Sequence, residues 1–352
     1  MKFSGEFALK FALQSATQYR LPELVGLAQR AYDAGMAQLW VNDNLGQRSL
    51  FVVLAAIAAR TPVKLGTAIV VPYFRNPVDI ADSLAALSEL VGGRELGVGI
   101  ARGEAARAGQ QVEMPKPVAM VRETAMAIKA LLAGETISFR NYPVAAAYHH
   151  IYPEKEFRLA FSPGAPVRFF CGGHGARILK VAGETMDGIY FGDHFIPIAR
   201  AGRLAAFLRI VRSAAEARGK ALFDIGEVDV SIARDRRRAF DFARPYAAQV
   251  LLHLEGMGLG DDAFRGVGIE PRLLEALKDS GRGGATLHEA SELLSDEDVK
   301  TCFVAGDPEE CRDQIAELLS EAERLHFGQI AFAKLGPDYE EAITLLKDIL
   351  KR

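Results

Sequence analysis

Three glycines fall within four residues at Gly172-Gly173-His174-Gly175, directly ahead of Ala176-Arg177 and a stretch patterned as a helix. Glycine lets the backbone approach a ligand closely, and a helix amino terminus presents N–H groups that have no partner one turn back. Such a turn can hold a phosphate through Gly172, Gly173, His174, Gly175 and Ala176, with Arg177 adding a charge. A tight strand-to-helix turn needs the same glycines without a ligand. Gly97-Val98-Gly99 suggests a dinucleotide fingerprint, but the next glycine is Gly103, so the third spacing fails. Glycines inside a strand mark a close approach to the backbone, so Gly99 faces either a ligand or a packed neighbour. Asp43 follows Leu39-Trp40-Val41-Asn42 and sets a carboxylate at a strand end, where it contacts a ligand or ring nitrogen, caps a helix, or pairs with Arg48. Glu104, flanked by Arg102 and Arg107, is either a spare acid or half of a solvated ion pair.

Other chemistries lack their residues. His149, His150, His174 and His194 form no His-x-x-x-His or His-x-x-Glu-His set, so no metal site is expected. There is no Gly-x-Ser-x-Gly elbow for a serine nucleophile. Lys334 can in principle form a Schiff base, but a lysine beside Leu335-Gly336-Pro337 is expected to be solvated. Cys171, Cys302 and Cys311 are odd in number and lack Cys-x-x-Cys spacing, which fits thiols in a reducing compartment. With 42 basic against 45 acidic residues there is no cationic excess to drive nucleic-acid or anionic-membrane binding. Phe51 to Ala59 is among the longest apolar runs, far short of the roughly 20 residues of a membrane span. The amino terminus does not read as a signal peptide. We expect a cytoplasmic protein acting on a small-molecule substrate as a homodimer or higher homo-oligomer, with no nucleic acid and no membrane partner.

The elements that position these groups alternate. Strand patterns at Phe7–Leu13, Ala37–Asn42, Val63–Val71, Glu95–Ala101, Val167–Cys171, Asp187–Gly192, Glu227–Ala233 and Gly328–Ala333 are each followed by an amphipathic helix. The helices are placed at Leu21–Ala34, Arg48–Arg60, Val78–Val91, Pro117–Ala133, Ala176–Gly183, Arg200–Arg218, Arg237–Leu254 and Tyr339–Leu350. Eight such units without a composition break indicate an α/β fold, a (β/α)8 TIM barrel spanning 1–352 as one domain. Two connections exceed ordinary linkage: insertions at about 134–166 after strand four and about 255–300 after strand seven. In a barrel the chemistry sits at the carboxyl ends of the strands. The positions to inspect are therefore Gln14 and Ser15, Asp43 and Asn44, Pro72, Tyr73 and Arg75, Arg102 and Glu104, the 172–177 turn, Asp193 and His194, and Lys334.

The run Leu39-Trp40-Val41-Asn42-Asp43, with Val52 through Thr61, Lys64 through Ile69 and Pro72-Tyr73-Phe74-Arg75-Asn76-Pro77, resembles the bacterial-luciferase-like superfamily of flavin- and deazaflavin-dependent oxidoreductases. So do Leu87 through Gly99, Ala182 through Gly188, Val304 through Cys311 and Leu335 through Tyr339, which carries the resemblance over nearly the whole chain. It is most similar to the methylenetetrahydromethanopterin reductase branch, whose members use the 8-hydroxy-5-deazaflavin coenzyme F-420, while luciferase-type members use FMN. The resemblance implies a hydride-transferring oxidoreductase with Asp43 on the cofactor. It also implies a bulged third strand with a non-prolyl cis peptide at Thr67-Ala68-Ile69 behind the ring, and a phosphate at the 172–177 turn. Gln14 stands where the reductase branch has a glutamate, and Asn44 where many members have histidine. An amide cannot exchange protons as a general acid or base, so Glu104 becomes the leading acid beside these two catalytic positions. The alternatives are an FMN-dependent monooxygenase, a phosphate-binding lyase or isomerase, and a non-catalytic ligand-binding relative.

Overall fold

In the computed structural model, residues 3–103, 112–254, 267–284 and 286–351 are described. Eight parallel strands among them close into a barrel: β1 (Glu6–Phe11), β2 (Gln38–Val41), β3 (Lys64–Val70), β4 (Leu96–Ile100), β5 (Val167–Gly172), β6 (Gly188–Phe191), β7 (Ile225–Ile232) and β8 (Gln329–Ala333). Each pairs with the next, and β8 returns to β1 through Glu6↔Gln329 to Lys10↔Ala333. Strands buried on both faces read as near-continuous apolar runs, and all four residues of β2 and all eight of β7 are buried. The helices that follow are α1 (Leu21–Asp33), α2 (Leu50–Ala58), α3 (Pro77–Leu90), α4 (Pro117–Leu132), α5 (Ala176–Thr185), α6 (Leu204–Glu216), α7 (Arg236–Leu254) and α8 (Tyr339–Leu350). Their starts are written locally. Asn76 accepts from the N–H groups of Val78 and Asp79 ahead of Pro77, and Asp338 accepts from those of Glu340 and Glu341.

Two expectations change. The single helix over Arg200–Arg218 is two, Phe195–Arg200 and α6, broken where Gly202 takes φ 64°. The first strand stops at Phe11 because Leu13–Ser15 winds into a 3-10 turn. The connection after α4 carries a two-stranded ribbon, Ile137–Ser138 against Glu156–Phe157, and a short helix at Pro143–Tyr148. Beyond α7 come helices at Pro271–Arg282, Leu287–Ser291 and Asp296–Lys300, and a strand at Val304–Gly306 that pairs with the end of β7. Among the described residues no helix is long and apolar enough to cross a membrane.

The interior of a barrel must be filled, and here Ala8, Trp40, Ala68, Phe170, Tyr190, Ile225 and Ala331 fill it. The Trp40 indole is edge-on to Phe170 and Tyr190, and its N–H donates to Gln329 Oε1 at 2.7 Å. Gln329 passes its own amide to Gln38 and Glu6, so the buried polar atoms of this floor are paired. A Cβ on Gly66 or Gly97 would run into the Trp40 ring. Gly97 is therefore a packing glycine. Gly97→Ala should lower unfolding free energy by about 1–3 kcal/mol through overpacking, and Trp40→Ala by about 3–5 kcal/mol through the void it leaves. In denaturant unfolding the double variant should lose less than the sum of the two, because the added methyl then enters vacated space.

Candidate active site at the carboxyl end of the barrel

Asp43 lies immediately beyond β2, and its carboxylate takes both contacts of Arg75 Nη1, at 2.9 and 2.7 Å. Arg48, the expected partner, reaches instead to the carbonyls of Ala16, Thr17 and Tyr19. Burial pushes the Asp43 pKa up, and Arg75 offsets only part of that. The Asp43 N–H donates to Ile69 O at 3.1 Å, which ties the end of β2 to an irregularity in β3. There the register against β4 shifts between Thr67 and Val70, and the Ala68–Ile69 peptide is cis, at the bond the family resemblance implied. Thr67 Oγ1 donates to Gly99 O at 2.9 Å, and a Cβ on Gly99 would stand 2.5 Å from Thr67 O. A Cβ on Gly172 would lie 3.5 Å from the Ile69 side chain. Thr67, Ala68, Ile69, Gly99 and Gly172 thus lie together across three neighbouring strands, Thr67, Ala68 and Gly99 buried and Ile69 and Gly172 half-buried.

At the end of β1 three amides hold each other. Gln14 Oε1 accepts from Asn42 Nδ2 at 2.7 Å and Asn44 Nδ2 at 3.2 Å, and Asn42 Oδ1 accepts from the Leu13 N–H at 2.7 Å. The cluster fixes the mouth's geometry without offering a titrating group. Glu104, the proposed acid, lies outside the described residues.

Beyond β5, Gly173 takes φ 143°, Gly175 caps α5 at φ −72°, and Ala176 and Arg177 begin the helix, exposed. A Cβ on Gly175 would meet nothing within 4 Å, so the space before the helix terminus is open. The ring of His174 turns the other way. It packs 4.9 Å from His194 and 6.2 Å from Phe191, and its buried Nε2 has no hydrogen-bond partner. Burial, with His194 beside it, drives its pKa down to about 3.

Sequence reasoning missed the charged layer above the Trp40 floor. Lys334, expected to be solvated, is buried in a 2.5 Å ion pair with Asp229, the two side chains 6% and 0% exposed. Its φ of 65° carries it off the end of β8 and into the barrel. Lys10 donates to both oxygens of Glu227, at 2.9 and 2.7 Å. Burial opposes the Lys334 ammonium, but Asp229, Asp193 and Glu227 outweigh it and hold its pKa above the usual value. The Tyr190 hydroxyl lies beside Glu227 with no aligned hydrogen bond, and burial raises its pKa well above normal. The signal was in Glu227-Val228-Asp229. Two acids at i and i+2 of an apolar strand point to one face, here the barrel interior. Among the described residues no three His, Cys, Asp or Glu side chains converge as a metal site.

This architecture belongs to a known class. Residues 1–323 match the family of luciferase-like monooxygenases, and the chain is a member of that family. It is 26% identical to a 5,10-methylenetetrahydromethanopterin reductase of Methanolobus tindarius, over 97% of this chain and 100% of that protein. It is 27% identical to a coenzyme F-420-dependent glucose-6-phosphate dehydrogenase of Amycolatopsis mediterranei, over 96% of each. The solved coenzyme F-420-dependent tetrahydromethanopterin reductase of Methanopyrus kandleri superposes with a TM-score of 0.75 at 21% identity, over 97% of both chains. These relatives are oxidoreductases by name.

The unpartnered His174 has a measurable consequence. Unfolded, it takes a proton below about pH 6.5; folded, it refuses one until about pH 3. The folded state then binds fewer protons across that window, so stability is lost as pH falls through it. His174→Gln removes this contribution, and between about pH 7 and pH 5 its melting temperature should fall less than the wild type's.

Proposed function

We propose that the protein is an oxidoreductase that exchanges a hydride between a bound coenzyme F-420-type deazaflavin and a small organic substrate, with FMN as the alternative cofactor. The observation that carries this reading is the placement of the open, glycine-rich start of α5 beside the bulged wall of Thr67, Ala68, Ile69 and Gly99. The N–H groups of Ala176 and Arg177 and the Arg177 guanidinium suit a phosphate, and the wall suits the face of a flat ring. Asp43, fixed by Arg75, borders that wall, and the backbone of Gly172 to Gly175 lines the approach to the phosphate. When bound, the ring supplies the two-electron exchange; the chain supplies orientation, charge and exclusion of water. Gln14 and Asn44, locked to each other through hydrogen bonds, are suited to holding a substrate and not to moving a proton. Glu104 is the acid we assign to any protonation step. Gln14, an amide in place of the carboxylate that the pterin-reductase branch carries at the end of β1, speaks against the pterin reductases' own substrate. The reading takes residues 1–352 as one barrel domain, in a cytoplasmic homo-oligomer.

Absorbance titration with both cofactors tests it. Reduced deazaflavin should bind more tightly than reduced FMN; micromolar FMN binding with no deazaflavin binding would reverse the choice. Gly175→Val has room in the protein at φ −72° but fills the space before the helix. It should weaken cofactor binding tenfold or more while the melting temperature stays within a few degrees. An unchanged affinity removes the phosphate from this turn. Glu104→Gln should lower single-turnover rates by about 10²-fold or more and leave cofactor affinity unaltered.

A further inference from the structure

Asp193 follows β6, next to the glycine turn that follows β5, since Gly172 pairs with Tyr190 in the barrel. Its neighbours in the charged layer are shut away: Glu227 is 1% exposed and Asp229 0%. Asp193 keeps 35% of its side chain open. Its close charged contact is His194 Nδ1, 3.0 Å from Oδ1 but without the alignment of a hydrogen bond. Burial favours its neutral form, yet His194, Lys334 and Lys10 outweigh that and hold the carboxyl well below its usual pKa. An ionised carboxylate is therefore presented at the floor of the mouth with acceptor capacity to spare. Behind it, two buried polar atoms in the same charge cluster lack partners, the Tyr190 hydroxyl and Asp229 Oδ1. Among the described residues this layer sets three carboxylates, Asp193, Glu227 and Asp229, against two ammonium groups, Lys10 and Lys334, each ammonium paired with one of the last two.

We propose that Asp193 determines specificity: its carboxylate, the one in this layer with no ammonium partner of its own, accepts a hydrogen bond from a hydroxyl of a neutral substrate and rejects phosphorylated ones. This rests on the reading of the barrel mouth as the substrate site. A carboxylate half-open at the mouth of a site favours ligands that bring a donor and penalises those that bring a second negative charge. A sugar and its phosphate ester then differ in the direction opposite to that expected of a sugar-phosphate site.

The test is equilibrium binding by saturation-transfer NMR of cyclohexanol, glucose and glucose 6-phosphate to the wild-type protein, with and without cofactor. At least one neutral alcohol should bind, and glucose 6-phosphate should bind at least tenfold more weakly than glucose. Asp193→Asn should weaken the bound alcohol tenfold or more, and Asp193→Lys should bring in glucose 6-phosphate. Asp193→Ser replaces the asparagine variant if the latter does not fold, and cofactor affinity should change less than threefold in each. Glucose 6-phosphate binding as tightly as glucose, no neutral alcohol binding at all, or an alcohol affinity indifferent to Asp193 overturns the proposal. Failure of both cofactors to bind overturns the oxidoreductase reading instead, and the cofactor-free arm tells the two failures apart.

Discussion

A closed barrel of eight parallel strands leaves a cylinder that side chains must fill, and everything above the floor depends on how it is filled. Trp40 does most of it, wedged against Phe170 and Tyr190 and anchored through Gln329. So large a ring on β2 forces β3 and β4 to be bare where they face it, at Gly66 and Gly97. Gly97, which in the sequence suggests part of a dinucleotide fingerprint, is a consequence of packing. Further along β3 the register breaks next to Gly99, with Thr67 and Ala68 buried and Ile69 half-exposed beyond them.

Between the aromatic floor and the mouth the barrel carries charge, which is costly unless paired. Lys10 with Glu227 and Lys334 with Asp229 are each fully in contact, drawn from β1 and β7 and from β8 and β7. Replacing either pair with apolar residues of similar volume need not destabilise the fold, so stability alone does not account for them. Their effect is electrostatic: the two ammonium groups beneath the mouth neutralise the acids they pair with and, after the larger effect of His194, help hold the Asp193 carboxyl below its usual pKa. The Asp43–Arg75 pair does corresponding work at the end of β2, where it orients the group that meets the bulge.

The architecture was legible before any contact was known, because it rests on periodicity and local signals. The alternation of apolar strands with amphipathic helices, the Asn76-Pro77 and Asp338 caps and the glycines before Ala176 place most elements to within a residue or two, while the helix after β6 begins four residues later than expected, at Leu204. Barrel geometry then pointed to Asp43, Asn44, Gln14 and the 172–177 turn. Resemblance to relatives, and not spacing, pointed to Ala68–Ile69. What the tertiary structure alone decided is which groups face each other. Asp43 pairs with Arg75 and not Arg48, because β3 brings Arg75 to the end of β2 while the start of α2 turns Arg48 toward the loop after β1. Lys334 is buried because two residues with positive φ fold it inward, a backbone state that its side chain does not announce. The inward face of Glu227 and Asp229 was readable from their spacing, but their partners lie 217 and 105 residues away in the chain. Contacts of that separation are fixed by closure of the barrel, and no local pattern encodes them.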